Sequence, residues 1–193
     1  MAGLFTVLLN ANGCTEVSIR NLPEVHQRTT NEQIQPSEGH LVSTGSSVHL
    51  VVPFVPDDTD QCGPATLASV LMYWDVPIDL QILKDETYRP QLKGTLPIDL
   101  VVAAQARGLR VEGGRGTLEI LRTELDAGHP LVAFLNLGWK VFPQGHYVVI
   151  TGYDEVRQAV YMHSGLRRDV LVSYSQFLAD WAKTGRWMLL VRR

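Results

Sequence analysis

Residues 64–74 read Pro-Ala-Thr-Leu-Ala-Ser-Val-Leu-Met-Tyr-Trp, a run of helix formers that is apolar nearly all round. A helix with no polar face has nothing to give to water and must be enclosed by other elements. Pro64 fits its first turn, where a backbone N–H has no intrahelical partner to lose. Further helices are predicted over Ile78–Tyr88, over Pro97–Arg107 with Gly108 as terminator, and over Leu118–Ala127 with Gly128 in the same role. A short strand is predicted at Leu50–Phe54, and later strands at Pro130–Asn136, Tyr147–Tyr153, Ala159–His163, Val170–Ser173 and Trp187–Arg192, with a helix over Gln176–Lys183. Helices first and then a run of strands predict an α+β fold with an antiparallel sheet.

The 193 residues, 45% hydrophobic and 19% charged, suit one domain with a sizeable core and some additional sequence. That domain is expected over 48–193. Residues 15–47 are rich in Thr, Glu, Asn, Gln and Ser, lack a sustained apolar period, and read as a polar tether. Residues 1–14 carry a six-residue apolar run, Leu4–Leu9, too short to span a bilayer, and end in Gly13-Cys14. This resembles the end of a bacterial lipoprotein signal, whose cysteine is lipidated, although no Lys or Arg precedes the apolar run; the other reading is an apolar N-terminus with no export role. The net charge of −3 and the absence of a Lys/Arg cluster exclude nucleic acid as an expected partner.

Of the two cysteines, Cys14 and Cys62, the second lies in Gln61-Cys62-Gly63-Pro64-Ala65 at the start of the enclosed helix. No disulfide framework and no metal-ligand spacing involve them. The positive end of a helix favours thiolate over thiol, and Gly63 leaves room for a substrate carbonyl to approach the sulfur. The alternative role for Cys62 is a small core residue at a helix start. A second motif, Gly145-His146-Tyr147-Val148-Val149-Ile150, puts a histidine at the head of an apolar strand, where it can act as general base and then as acid toward a leaving amine.

These two motifs, in this order, resemble those of papain-like cysteine peptidases of the bacteriocin-leader-processing, double-glycine-leader type. A related branch of bacterial envelope proteins also reads Gln-Cys-Gly-Pro-Ala, Gly-His-Tyr and His-Ser-Gly. The resemblance covers about residues 50 to 191 and implies a helix carrying Cys62 as nucleophile, packed on a sheet carrying His146 as base. It implies a peptide or protein substrate and no cofactor. In that family an Asp on the next strand completes the triad; here the count reaches His163 in Tyr161-Met162-His163-Ser164-Gly165. A neutral histidine can orient His146 but stabilises an imidazolium less than a carboxylate does. Asp154 is eight strand residues from His146, roughly 26 Å along an extended chain, so Asn136 is the reserve candidate.

Relatives carry an oxyanion-hole glutamine five or six residues before the cysteine, where this chain has Asp57 and Pro56. An ionised Asp57 repels a developing oxyanion and raises the thiol pKa, if it faces the site rather than water. Gln61 and the Cys62 amide are the remaining donors. Trp139 and Phe142, between Gly138 and Gly145, wall a peptide cleft or pack a loop. Three functions fit: an envelope cysteine peptidase, a catalytically impaired domain that binds peptide or an envelope protein, and an acyl transferase that passes the thioester to an amine.

Overall fold

The computed structural model describes residues 46–139 and 141–193. The signal and tether readings fall, up to residue 45, outside them.

The enclosed helix is α1 (Cys62–Tyr73), buried continuously from Gly63 to Leu71. Before it runs a short strand β1 (Ser47–His49), and after it α2 (Leu80–Thr87), a two-strand hairpin β2 (Tyr88–Arg89) and β3 (Gly94–Thr95), α3 (Pro97–Gln105), β4 (Arg110–Arg115) and α4 (Leu118–Asp126). The second half contributes β5 (Leu131–Asn136), β6 (Gly145–Asp154), β7 (Ala159–Ser164), β8 (Arg167–Ser173), α5 (Tyr174–Ala182) and β9 (Trp187–Arg192). The helix ends follow local chemistry. Asp79 accepts from the Gln81 and Ile82 amides at the head of α2, Thr117 caps α4, Ser173 caps α5, and Gly108 and Gly128 take positive φ after α3 and α4.

The strands form a seven-stranded sheet in the order β4-β9-β5-β6-β7-β8, with β1 added along the far end of β6, and every pairing is antiparallel. Alternation along the central strands feeds two cores. Val132, Tyr147, Val149, Leu189 and Val191 pack with Leu67, Leu71, Leu83 and Leu100 of α1, α2 and α3 on one face. Leu131, Ala133, Val148, Ile150 and Leu190 pack with Leu121 and Leu125 of α4 and Phe177 and Trp181 of α5 on the other. The fold is thus the expected α+β class with an antiparallel sheet.

The β2–β3 hairpin was not expected, and two strands differ from expectation in an instructive way. The strand predicted at Leu50–Phe54 starts and stops earlier, because Pro53 has no N–H for a ladder; Leu50 still donates to the Thr151 carbonyl at 2.7 Å. The β4 edge strand was hidden by Gly113-Gly114 and by its charged ends. Gly113 is there for packing: a Cβ on it would lie 2.9 Å from Val101 Cγ2 of α3.

Candidate active site

Cys62 is the first residue of α1, and its helix has no side-chain cap and no acidic residue in its first turn. The approach is fixed by a relay of short-range bonds: the Gln61 amide donates to Thr59 Oγ1, which itself donates to Asp57 Oδ1 at 2.6 Å. The Cys62 sulfur accepts a hydrogen bond from the Tyr147 amide at 3.5 Å. That amide belongs to the peptide unit joining His146 to Tyr147, so the helix start and the head of β6 meet at the sulfur.

Gly63 serves a different purpose from the one expected. A Cβ there would lie 2.5 Å from both Cβ and Oγ1 of Thr95, so the missing side chain admits β3 against the helix rather than a substrate carbonyl. Tyr147 secures the same contact by donating its hydroxyl to the Thr95 carbonyl at 3.1 Å. The expected lowering of the thiol pKa is also overturned. Burial pushes the Cys62 thiol up to about 11, and the Asp57 charge adds to the rise against the lowering by the Tyr147, Gly63 and Cys62 amides. At neutral pH the sulfur is therefore a protonated thiol.

His146 heads β6 opposite Leu135 of β5. Its Nε2 lies 3.0 Å from Ser164 Oγ at the end of β7, and among the described residues no hydrogen bond joins it to Cys62. Burial holds its pKa below the ordinary histidine value, and Asp57 opposes that shift. A neutral imidazole is the state a general base requires.

The structure does not bring His163 to His146. The buried His163 ring puts Nε2 3.1 Å from the Val52 carbonyl, which can only accept, so Nε2 carries the proton. Its Nδ1 then accepts from the Asp169 amide at 3.2 Å; the Asp169 carboxylate also lies 3.4 Å from Nδ1 but brings no proton to it. Both nitrogens are committed to backbone, and burial keeps the ring neutral by lowering its pKa. His163 lines the pocket at the sulfur as a structural residue. Ser164, one position on, is the residue against the imidazole, and only its place in His-Ser-Gly hinted at it in the sequence.

Asn136 is likewise occupied: its Oδ1 accepts from the Gly138 and Gln144 amides at 2.9 and 2.8 Å and closes the β5–β6 loop. Asp57 faces the site. It lines the sulfur's pocket with Phe54, Thr66, His163 and Ser164, its Oδ2 is buried without a partner among the described residues, and no Lys or Arg lines the pocket. Asp58 and Asp60 of the same acidic run are exposed. The Gln61 side chain, partly buried, makes no hydrogen bond among the described residues and does not line the pocket. Trp139 does not line it either; it stands 80% exposed at the tip of the β5–β6 loop beside Val141 and Phe142, at 79% and 78%. No group of three or more His, Cys, Asp or Glu side chains among the described residues could hold a metal ion.

A thiol at the start of a central helix, meeting a strand that begins with a histidine on an antiparallel sheet, is the layout of a papain-like cysteine peptidase. Residues 48–188 match the Peptidase_C39 like family, and the chain belongs to that family of cysteine peptidases. No curated protein matches the sequence. Among solved structures, a double-glycine-motif protease from an AMS/PCAT transporter, in complex with a leader peptide, superposes with a TM-score of 0.61 at 23% identity, over 78% of this chain and 96% of its own. A C39-like peptidase from Bacillus anthracis gives 0.62 at 21% identity over 77% and 98%. The peptidase domain of ComA from Streptococcus, a bifunctional ABC transporter of a quorum-sensing pathway, gives 0.57 at 23% over 72% and 96%. At these identities the likeness is one of fold.

Proposed function

We propose that this C39-type peptidase hydrolyses peptide bonds by general-base attack of Cys62. His146 takes the thiol proton as the sulfur adds to the carbonyl, then gives it to the departing amine, and water resolves the thioester. The observation that carries the reading is the Tyr147 amide on the Cys62 sulfur, which puts the nucleophile against the backbone of His146. The Cys62 amide at the helix start is the available oxyanion donor, while Asp57 opposes negative charge there. The exposed Trp139, Val141 and Phe142 offer an apolar rail for a peptide leading to His146. A neighbour of the same fold holds a leader peptide, which supports a peptide substrate here.

The setting belongs to the proposal: Gly13-Cys14 after an apolar run supports lipid attachment at the bacterial envelope. Labelling with a radioactive fatty acid that persists in Cys14→Ser would rule that attachment out. For the chemistry, a peptide library followed by mass spectrometry should show cleavage by the wild type that Cys62→Ala and His146→Ala each abolish. The raised thiol and the absence, among the described residues, of a Cys62–His146 hydrogen bond favour a second reading, a domain that binds peptide without cutting it. Tight peptide binding without products, unchanged in Cys62→Ala, would select it.

A further inference from the structure

We infer that the third catalytic role is divided between two residues: Ser164, whose hydroxyl orients the His146 imidazole, and Asp57, whose carboxylate supplies the negative charge beside it. The inference rests on the peptidase reading. The orienting half stands on the 3.0 Å contact between His146 Nε2 and Ser164 Oγ. A hydroxyl that accepts from Nε2–H leaves Nδ1 as the bare nitrogen, and the bare nitrogen is the base. In this arrangement Ser164 holds the tautomer that can take a proton from sulfur, with its own hydroxyl proton turned away from the ring. A hydroxyl has no charge to offset the imidazolium that then forms, so orientation and charge must come from different groups.

The charge half stands on the chain path. The Asp57 amide donates to the Gly165 carbonyl at 3.2 Å, which ties Asp57 to the residue following Ser164. Gly165 turns there with φ of +58°, and both Asp57 and Ser164 line the pocket of the Cys62 sulfur. Thr59 holds one carboxylate oxygen from its amide and hydroxyl, leaving Oδ2 buried and unpaired among the described residues. The other titratable groups that line this pocket with Asp57 are the Cys62 thiol from α1, Tyr147 on β6, whose hydroxyl is given to the Thr95 carbonyl, and His163 on β7, whose two nitrogens are committed to backbone. In the reaction the S–H proton moves to Nδ1 as the S–C bond forms and the carbonyl π bond opens. Nε2–H stays bonded to Ser164 Oγ, the positive ring lies in the field of the Asp57 carboxylate, and the proton leaves with the amine as the C–N bond breaks.

The test uses the full chain with Ser164→Ala, Ser164→Asp and Asp57→Asn, each checked for an unchanged melting transition. Two readouts are taken across pH: peptide cleavage, and iodoacetamide alkylation of Cys62, separated from Cys14 by peptide mass. Ser164→Ala should lower kcat about tenfold with KM within about twofold and should leave the acid limb of the pH profile in place. Ser164→Asp should restore kcat and move the acid limb to higher pH, because it joins charge to orientation. Asp57→Asn should move the acid limb to lower pH. Full activity in Ser164→Ala, or a loss confined to KM or melting temperature, would overturn the orienting role. An unmoved acid limb in Asp57→Asn would overturn the charge role. Should the wild type cleave nothing while Ser164→Ala still slows alkylation, the peptidase reading fails and the positioning role stands.

Discussion

In the proposed attack Cys62 needs its proton removed, because burial and the Asp57 charge outweigh the three amides that favour its thiolate. Its alkylation rate should rise with an apparent pKa near 11, well above the ordinary thiol value of about 8.5, and Asp57→Asn should bring that midpoint down. A midpoint below about 8 would mean that a thiolate-imidazolium pair exists at rest. Next door, Gly63→Ala should cost about 1–3 kcal/mol in denaturant melts, since the new methyl meets Thr95, and Thr95→Gly should recover much of it. The two motifs that meet at the Cys62 sulfur were legible in the sequence because motifs are local. The purpose of Gly63 was not, because its crowding neighbour sits on a hairpin far along the chain. His163 was misjudged for a related reason: counting along a hairpin is good to about one residue, and a one-residue slip exchanges the face of every side chain. The neighbouring Ser164 is the one at the imidazole.

The β5–β6 hairpin is the element that aims His146, and its loop is closed from inside by Asn136 and from outside by Lys183, whose Nζ donates to the Asn136 and Gly138 carbonyls at 3.3 and 3.2 Å. Asn136→Ala strips acceptors from two amides and should cost about 1–3 kcal/mol, with KM for peptides rising as the loop loosens. Unchanged melting and kinetics would show that the brace is dispensable. Trp139→Ala, on an exposed side chain, should raise KM and leave the melting temperature unmoved, as a substrate rail requires. The elements themselves were readable where period and terminators agreed, as in α3, α4 and β9. They were unreadable where tertiary contact overrides local preference: Gly113 of β4 is accommodated by α3, and β2–β3 is too short to show a period.

At the scale of the molecule, the antiparallel sheet with helices on both faces buries His163 and half-buries His146, and desolvation holds each below its ordinary pKa. The unfolded chain takes up these protons first, from about pH 6.5 downward, so folding stability should be level between there and the ordinary thiol range of about 8.5 and fall below about pH 6.5. Melting temperature against pH checks this, and His163→Gln should flatten the fall; a rise in stability on acidification through that range would contradict it. The fold class was legible because element order alone separates a helical first half from a stranded second half. The two-faced burial came from the alternation of β5, β6 and β9 around residues that the sequence shows simply as apolar runs. The nucleophilic role of Cys62 is open to direct observation by mixing the protein with a cleaved peptide, quenching in acid within a turnover, and measuring the protein's mass. An acyl adduct on the peptide containing Cys62, absent in Cys62→Ala, is the expected result. Cleavage that proceeds equally well in Cys62→Ala, with no adduct in the wild type, would contradict it.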